Sequence, residues 1–157
     1  MKTDAVGFRL AKQADLPAIV RMLADDELGS QRERYEEPLP ESYTVAFDQI
    51  ERDSNNELIV AELNGEVIGT LHLMFLPSLS FQGGLRAQIE SVRVDKLYQG
   101  QGIGKMLLRH TLEEAQKAGC KDAWVLTERG NDAAMALYKS IGGIEEVPDP
   151  TMFTFKL

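Results

Sequence analysis

Residues 98–110 read YQGQGIGKMLLRH, and the fold turns on what Gly100, Gly102 and Gly104 do there. Glycine is a poor helix former. Yet Ile103, Leu107, Leu108, Thr111, Leu112, Ala115 and Ala118 fall on one arc at the helical period, with Lys105, Arg109, Glu113, Gln116 and Lys117 opposite. The spacing predicts an amphipathic helix over 103–118 that rises out of bare backbone and stops at Gly119. One glycine is enough for a turn, whereas three at alternate positions leave main chain open to a ligand. The first N–H groups of a helix lack internal partners and the macrodipole adds positive potential. Such a start favours an anion, and a pyrophosphate would lie directly on the amides. Lys105 and Arg109 either add charge or are solvated, and the turn-only reading stays open on spacing alone.

Two familiar phosphate loops do not fit. A Walker A loop needs Ser or Thr after Gly-Lys, and Met106 stands there, while its first glycine would fall on Gln99. A dinucleotide fingerprint needs G-x-G-x-x-G, and neither Gly100 nor Gly102 begins one.

Upstream, "ELIVAEL" and "EVIGTLHLMFL" flank Asn64-Gly65, which predicts a hairpin with a tight type I′ turn. "RAQIESVRV" resumes as a strand, and "GFRLA" forms a short one near the N-terminus. Asp15 is placed to cap a helix burying Leu16, Ile19, Val20 and Leu23, with Pro17 in its first turn. A further helix is expected over 43–52. Downstream come a strand at "DAWVLT", a helix at "NDAAMALYKSI" and a terminal strand at "TMFTFKL". Strands that first pair and then alternate with helices predict an α/β (α+β) domain over 1–157, with a mixed sheet.

At 157 residues the chain has the length of one domain, with 43% hydrophobic and 27% charged residues. One cysteine, Cys120, excludes a disulfide framework, and His72 with His110 offers no metal spacing, so no metal is expected. A net charge of -8 argues against a nucleic-acid partner. No stretch approaches the ~20 apolar residues of a membrane span, so no membrane partner and a cytoplasmic location are expected. Exposed strands admit a homodimer.

The strand "IESVRV", then Q-x-x-G-x-G as "QGQGIG", resembles the acetyl-CoA signature of the GCN5-related N-acetyltransferases (GNAT). "LTERGNDAAMALYKSIGG" resembles that family's strand, Asn-bearing turn and Tyr-bearing helix. The order of elements fits as well, so the resemblance covers nearly the whole chain. Two departures are Gly142-Gly143-Ile144, where many members have Gly-Phe, and the ending "EEVPDPTMFTFKL".

The resemblance implies a mostly antiparallel central sheet with a splayed strand pair, flanked by about four helices. It implies acetyl-CoA as co-substrate, bound along Val92, Arg93 and Val94 and by Gln99, Gly100, Gln101, Gly102, Ile103, Gly104 and Lys105. The Val92 N–H would polarise the thioester carbonyl, an oxyanion-type contribution of ~2.7–4 kcal/mol per donor. Tyr138 would stand near the sulfur and protonate the thiolate, or else be a core tyrosine with its hydroxyl at the rim. Asn131 either bonds the pantetheine arm or caps its helix.

The acceptor would be a primary amine of a small molecule. Protein or peptide amines, and a non-catalytic acyl-CoA sensor, are the alternatives. A lysine-like amine has an ordinary pKa of about 10.4, so roughly one molecule in two thousand is neutral at pH 7. A general base is therefore useful. Glu90 stands two and four residues before Val92 and Val94, and a regular strand puts all three on one face with Gln88. Glu90 is the base, orients the substrate, or is a strand-end residue. Cys120 reads as packing, no Ser-His-Asp or Cys-His set is apparent, and transfer would be direct in a ternary complex. The acidic residues Asp25, Asp26, Glu27, Glu33, Glu36, Glu37 and Glu41 either steer a cationic amine or form a solvated loop.

Overall fold

The computed structural model describes residues 5–128, 130–145 and 155–156. They fall into two compact units, Met1–Leu126 and Thr127–Leu157. The first unit holds a five-stranded sheet in the order β1-β2-β3-β4-β5. Its strands are β1 (Gly7–Leu10), β2 (Asn56–Leu63), β3 (Glu66–Pro77), β4 (Leu85–Val94) and β5 (Ala123–Val125). The first four pair antiparallel and β5 joins β4 parallel. A parallel neighbour needs a crossover, and α5 (Ile103–Lys117) supplies it. Three helices, α1 (Leu16–Leu23), α2 (Glu27–Arg32) and α3 (Glu41–Arg52), link β1 to β2, and α4 (Ser80–Gly83) is a single turn between β3 and β4. The second unit contains α6 (Asp132–Ser140). The sequence stretch expected to form a terminal strand lies largely outside the described residues.

The hairpin forms as its sequence dictates. Asn64 and Gly65 both take left-handed φ, 52° and 84°, as a type I′ turn requires. Its register then places Leu58, Val60, Thr70 and His72 on one face of the sheet, and Ile59, Ala61, Gly69 and Leu71 on the other. Helices α1 and α3 pack over the first face, and α5 over the second. Leu71, Leu73, Ile89, Ile103, Leu107 and Leu108 are almost fully buried, so the arc seen at 103–118 is the face that seals this core. Thr111 joins it by donating from Oγ1 to the Leu107 carbonyl at 2.9 Å, so its hydroxyl is buried without an orphan.

Asp15 differs from expectation. It stands at the start of α1 but makes no side-chain cap. Its carboxylate instead accepts from the Lys12 N–H at 2.7 Å and pairs with Arg9 at 2.7 Å. Arg9 also bonds Glu62 at 2.7 Å, so a charged partner outcompetes the helix amides for this acceptor. Among the described residues, no helix is long and apolar enough to cross a membrane.

Candidate active site

The site begins where β5 leaves β4. The two pair only at Ala87–Ala123, Gln88–Trp124 and Ile89–Val125. Beyond Ile89, β4 runs on to Val94 with no strand beside it on that edge among the described residues, which is the splay the family resemblance implies. The Asp95 N–H bonds the Ile68 carbonyl of β3 at 2.9 Å. Strand alternation then turns the main-chain groups of Val94 and Val92 to the open edge and those of Arg93 toward β3.

Side chains meet the carbonyls on this edge. Gln99 Nε2 donates to the Val94 carbonyl at 3.0 Å, and Arg93 Nη1 to the Val92 carbonyl at 2.9 Å. Acceptors are satisfied internally, so the edge offers a ligand mainly its N–H donors.

β4 is not regular. Thr70 pairs with Arg93 and His72 with Glu90, so Ser91 and Val92 together stand opposite one residue of β3. This is a β-bulge, and Ser91 takes φ 55° within it. The shared face expected for Glu90, Val92 and Val94 is therefore corrected. Glu90 pairs with His72 and Val94 with Gly69, positions three apart on regular β3 and hence on opposite faces. Gln88 does share the face of Glu90, donating from Nε2 to its Oε1 at 2.6 Å. Arg93, brought round by the bulge, lies on that face too.

Asp95 organises the turn after β4. It is buried, pairs with Arg21 of α1 at 2.8 Å, and accepts from the Leu97 N–H at 2.9 Å. Asp95 is not among the residues expected at the site, although an Asp two residues before a turn amide is a recognisable cap signal. Gln99 and Gln101 then brace the loop, the latter donating to the Leu97 carbonyl at 3.1 Å. Gly100 and Gly102 have φ of 74° and 83°, which explains why neither carries a side chain. A Cβ at either would meet no protein atom within 4 Å, so the loop surface lies open. Gly102 is the N-cap of α5 and offers no side-chain bond to the first amides. Ile103 is buried, Gly104 and the half-buried Lys105 complete the first turn, and no carboxylate is among its residues. Unshielded donors, positive dipole and open space fit a diphosphate.

Beneath α1 and α3 lies an apolar cavity of about 140 Å³. Leu16, Ile19, Phe47 and Leu58 line its walls, and Tyr43, Thr70, His72 and Ser91 add polar groups. Because Ser91 is in the bulge, the cavity reaches β4 beside Val92. Tyr43 donates to Glu33 at 2.9 Å, and burial raises its phenol above the ordinary value. Burial pushes the His72 imidazole below its ordinary value, with the Glu90 carboxylate opposing. In the sequence His72 stands out only as a histidine without metal spacing to His110. Among the described residues no group of three or more His, Cys, Asp or Glu is placed to hold a metal ion.

Several of the acidic residues expected to steer an amine are already paired. Asp25 bonds Lys96 at 2.5 Å, Asp26 bonds Arg93 at 3.1 Å, Glu33 bonds Arg32 at 2.8 Å, and Glu36 bonds Arg34. Asp26 also caps α2 through the Gly29 N–H at 2.5 Å. Cys120 follows the Gly119 helix stop, and its N–H bonds the Ala115 carbonyl at 3.0 Å. Burial raises its thiol, the direction opposite to a thiolate nucleophile.

In the second unit, the Asn131 side chain accepts from the Ala134 N–H at 3.1 Å and so caps α6. Tyr138 is half-buried seven residues on. Its carbonyl accepts from the Gly143 N–H at 2.9 Å in a Schellman stop. A Cβ on Gly143 would come within 2.8 Å of that oxygen, which accounts for the second glycine where the resemblance expected Phe.

The profile of the acetyltransferase (GNAT) family matches residues 20–142. The ribosomal protein bS18-alanine N-acetyltransferase of Escherichia coli (strain K12) is 41% identical over 56 residues, 36% of this chain and only 38% of that one. The L-amino acid N-acyltransferase of the same organism is 26% identical over 149 residues, 95% of this chain and 86% of that one. Among solved structures, a transcriptional regulator from Bacillus halodurans C-125 is 42% identical with a TM-score of 0.89, covering 96% of this chain and 99% of that one. With its profile match running from α1 past the end of α6, this chain belongs to the acetyltransferase (GNAT) family.

Proposed function

We propose that this chain is an N-acetyltransferase that moves an acetyl group from acetyl-CoA to a primary amine of a small molecule, by direct transfer in a ternary complex. The observation that carries the reading is the continuity of donor edge, open glycine loop and helix start: Val92 and Val94, then Gly100 and Gly102, then α5. Acetyl-CoA would supply the acetyl group as an activated thioester. The amides at the start of α5, with Lys105, would hold its diphosphate, and the Val92 N–H would receive the thioester carbonyl oxygen. Tyr138 would give a proton to the departing thiolate. Glu90, paired with His72 across the ladder, would place negative charge on the sheet face from which the acceptor cavity opens.

The cavity under α1 and α3 supports an acceptor whose amine is carried beside a small apolar group, since its walls are mainly aliphatic and aromatic. Similarity to an L-amino acid N-acyltransferase across 95% of this chain favours an α-amino group on a small molecule. A protein N-terminus is the second reading, favoured by similarity to a ribosomal-protein-alanine N-acetyltransferase. Thiol release from acetyl-CoA separates them when L-leucinamide and a peptide beginning with alanine are offered side by side. Preference for L-leucinamide supports the first reading, and preference for the peptide the second. Release with neither, from a protein that binds acetyl-CoA, would count against transfer and favour a sensor.

A further inference from the structure

A chain of hydrogen bonds fixes the chemistry of His72. Asp53, at the end of α3, is a carboxylate and can only accept. Asn56 Nδ2 donates to its Oδ2 at 2.8 Å, so the amide must turn its Oδ1 the other way. That Oδ1 lies 2.7 Å from His72 Nε2. An amide oxygen cannot donate, hence Nε2 carries the hydrogen and Nδ1 keeps the lone pair. Among the side chains lining the cavity, His72 is the one that can take a proton near neutral pH, Tyr43 being a phenol and the rest uncharged. Glu90 stands opposite it across the β3–β4 ladder but does not line the cavity.

We propose that His72 is a catalytic residue of the acceptor site, its Nδ1 taking the proton of the acceptor ammonium while Glu90 stabilises the imidazolium. The proposal rests on the acetyltransferase reading above and names the base within it. In the step, an N–H bond of the ammonium breaks and Nδ1 takes the proton. The freed lone pair forms the C–N bond to the acetyl carbon as the C–S bond breaks. Tyr138 gives its proton to the departing sulfur and regains one from the nitrogen's second N–H, giving amide and thiol, and His72 returns its proton to water. The groups facing His72 are Glu90 from β4, Tyr43 from α3 and, through Asn56, Asp53. Those facing it from α1 are aliphatic. Burial moves the imidazole below its ordinary value, against the pull of Glu90, and so favours the neutral form that can accept a proton.

The test is acetyl transfer to L-leucinamide by wild type and His72→Gln across pH 6.5 to 9.5, with ¹⁵N NMR of the imidazole in the unmodified protein. An α-amino group has an ordinary pKa of about 7.7–8.0, so solution itself removes its proton at the alkaline end. The expected loss in His72→Gln is about 10²-fold at pH 6.5, shrinking at least tenfold by pH 9.5, with acetyl-CoA binding retained. The NMR spectrum should show hydrogen on Nε2 and none on Nδ1. A loss that stays constant with pH, no loss, or hydrogen on Nδ1 would overturn the proposal while leaving the acetyltransferase reading intact. No transfer by the wild type to either L-leucinamide or the alanine-initiated peptide would overturn both.

Discussion

Gln99 reaches back five residues to donate from its side-chain amide to the carbonyl of Val94, at 3.0 Å. That one bond ties the glycine loop to the last residue of β4, so the proposed diphosphate and thioester subsites would be held in one register. Gln99→Leu keeps the volume and removes the donor. The Val94 carbonyl then loses its partner and the loop its brace. Acetyl-CoA affinity should fall by about 1–2 kcal/mol, roughly 5- to 30-fold, with little change in melting temperature. An unchanged Kd measured by calorimetry would show that the loop keeps its shape without the bond.

Tyr138→Phe removes only the phenol oxygen from a half-buried ring. If that oxygen protonates the thiolate, kcat for L-leucinamide should drop by about 10²-fold or more. The Kd for acetyl-CoA should stay within about threefold. A variant as active as wild type would return Tyr138 to the role of a packing residue.

Leu107 is fully buried where α5 meets the sheet. Leu107→Ala leaves a cavity there and should cost about 2–5 kcal/mol in urea unfolding. A cost under about 1 kcal/mol would mean that α5 does not seal the core as described.

Stability should also report on His72. Its folded-state pKa is lowered by burial from an ordinary value near 6.5. As pH falls through about 6.5, the unfolded chain takes up a proton before the folded one does, and stability is lost. The loss continues down to the folded pKa and then levels. Urea midpoints should therefore decline as pH falls through about 6.5, and His72→Gln should flatten that decline. Asp15 acts in a lower window: Arg9 holds its carboxyl below the usual carboxylate range, so its contribution is lost only as pH falls below about 4. An identical pH dependence in wild type and His72→Gln would show that the imidazole is not buried neutral.

Much of this architecture is legible in the sequence because it depends on local chemistry. Asn64-Gly65 specifies its turn, the arc from Ile103 to Ala115 specifies a packed helix, and Gly100 with Gly102 specifies bare backbone, which the structure shows to be left-handed. The bulge at Ser91 is not legible, because it exists only through the pairing of β4 with β3. Missing it puts Glu90 and Val94 on one face when they lie on opposite ones. His72 is hidden for a related reason: its Nε2 meets Asn56, sixteen residues earlier, only across the β2–β3 hairpin. The acidic segment misleads in the other direction. Its carboxylates look free in the sequence, but Asp25 and Asp26 find Lys96 and Arg93 only after folding.

The most direct test of the account is calorimetric titration of the purified protein with acetyl-CoA, beside a Gly102→Glu variant. Gly102 holds φ 83° with open space where a side chain would project, so the substitution both strains the loop and sets a carboxylate at the α5 N-terminus. The account predicts binding by wild type that the folded variant loses. Failure of the folded wild type to bind, or equal binding by both proteins, would contradict it.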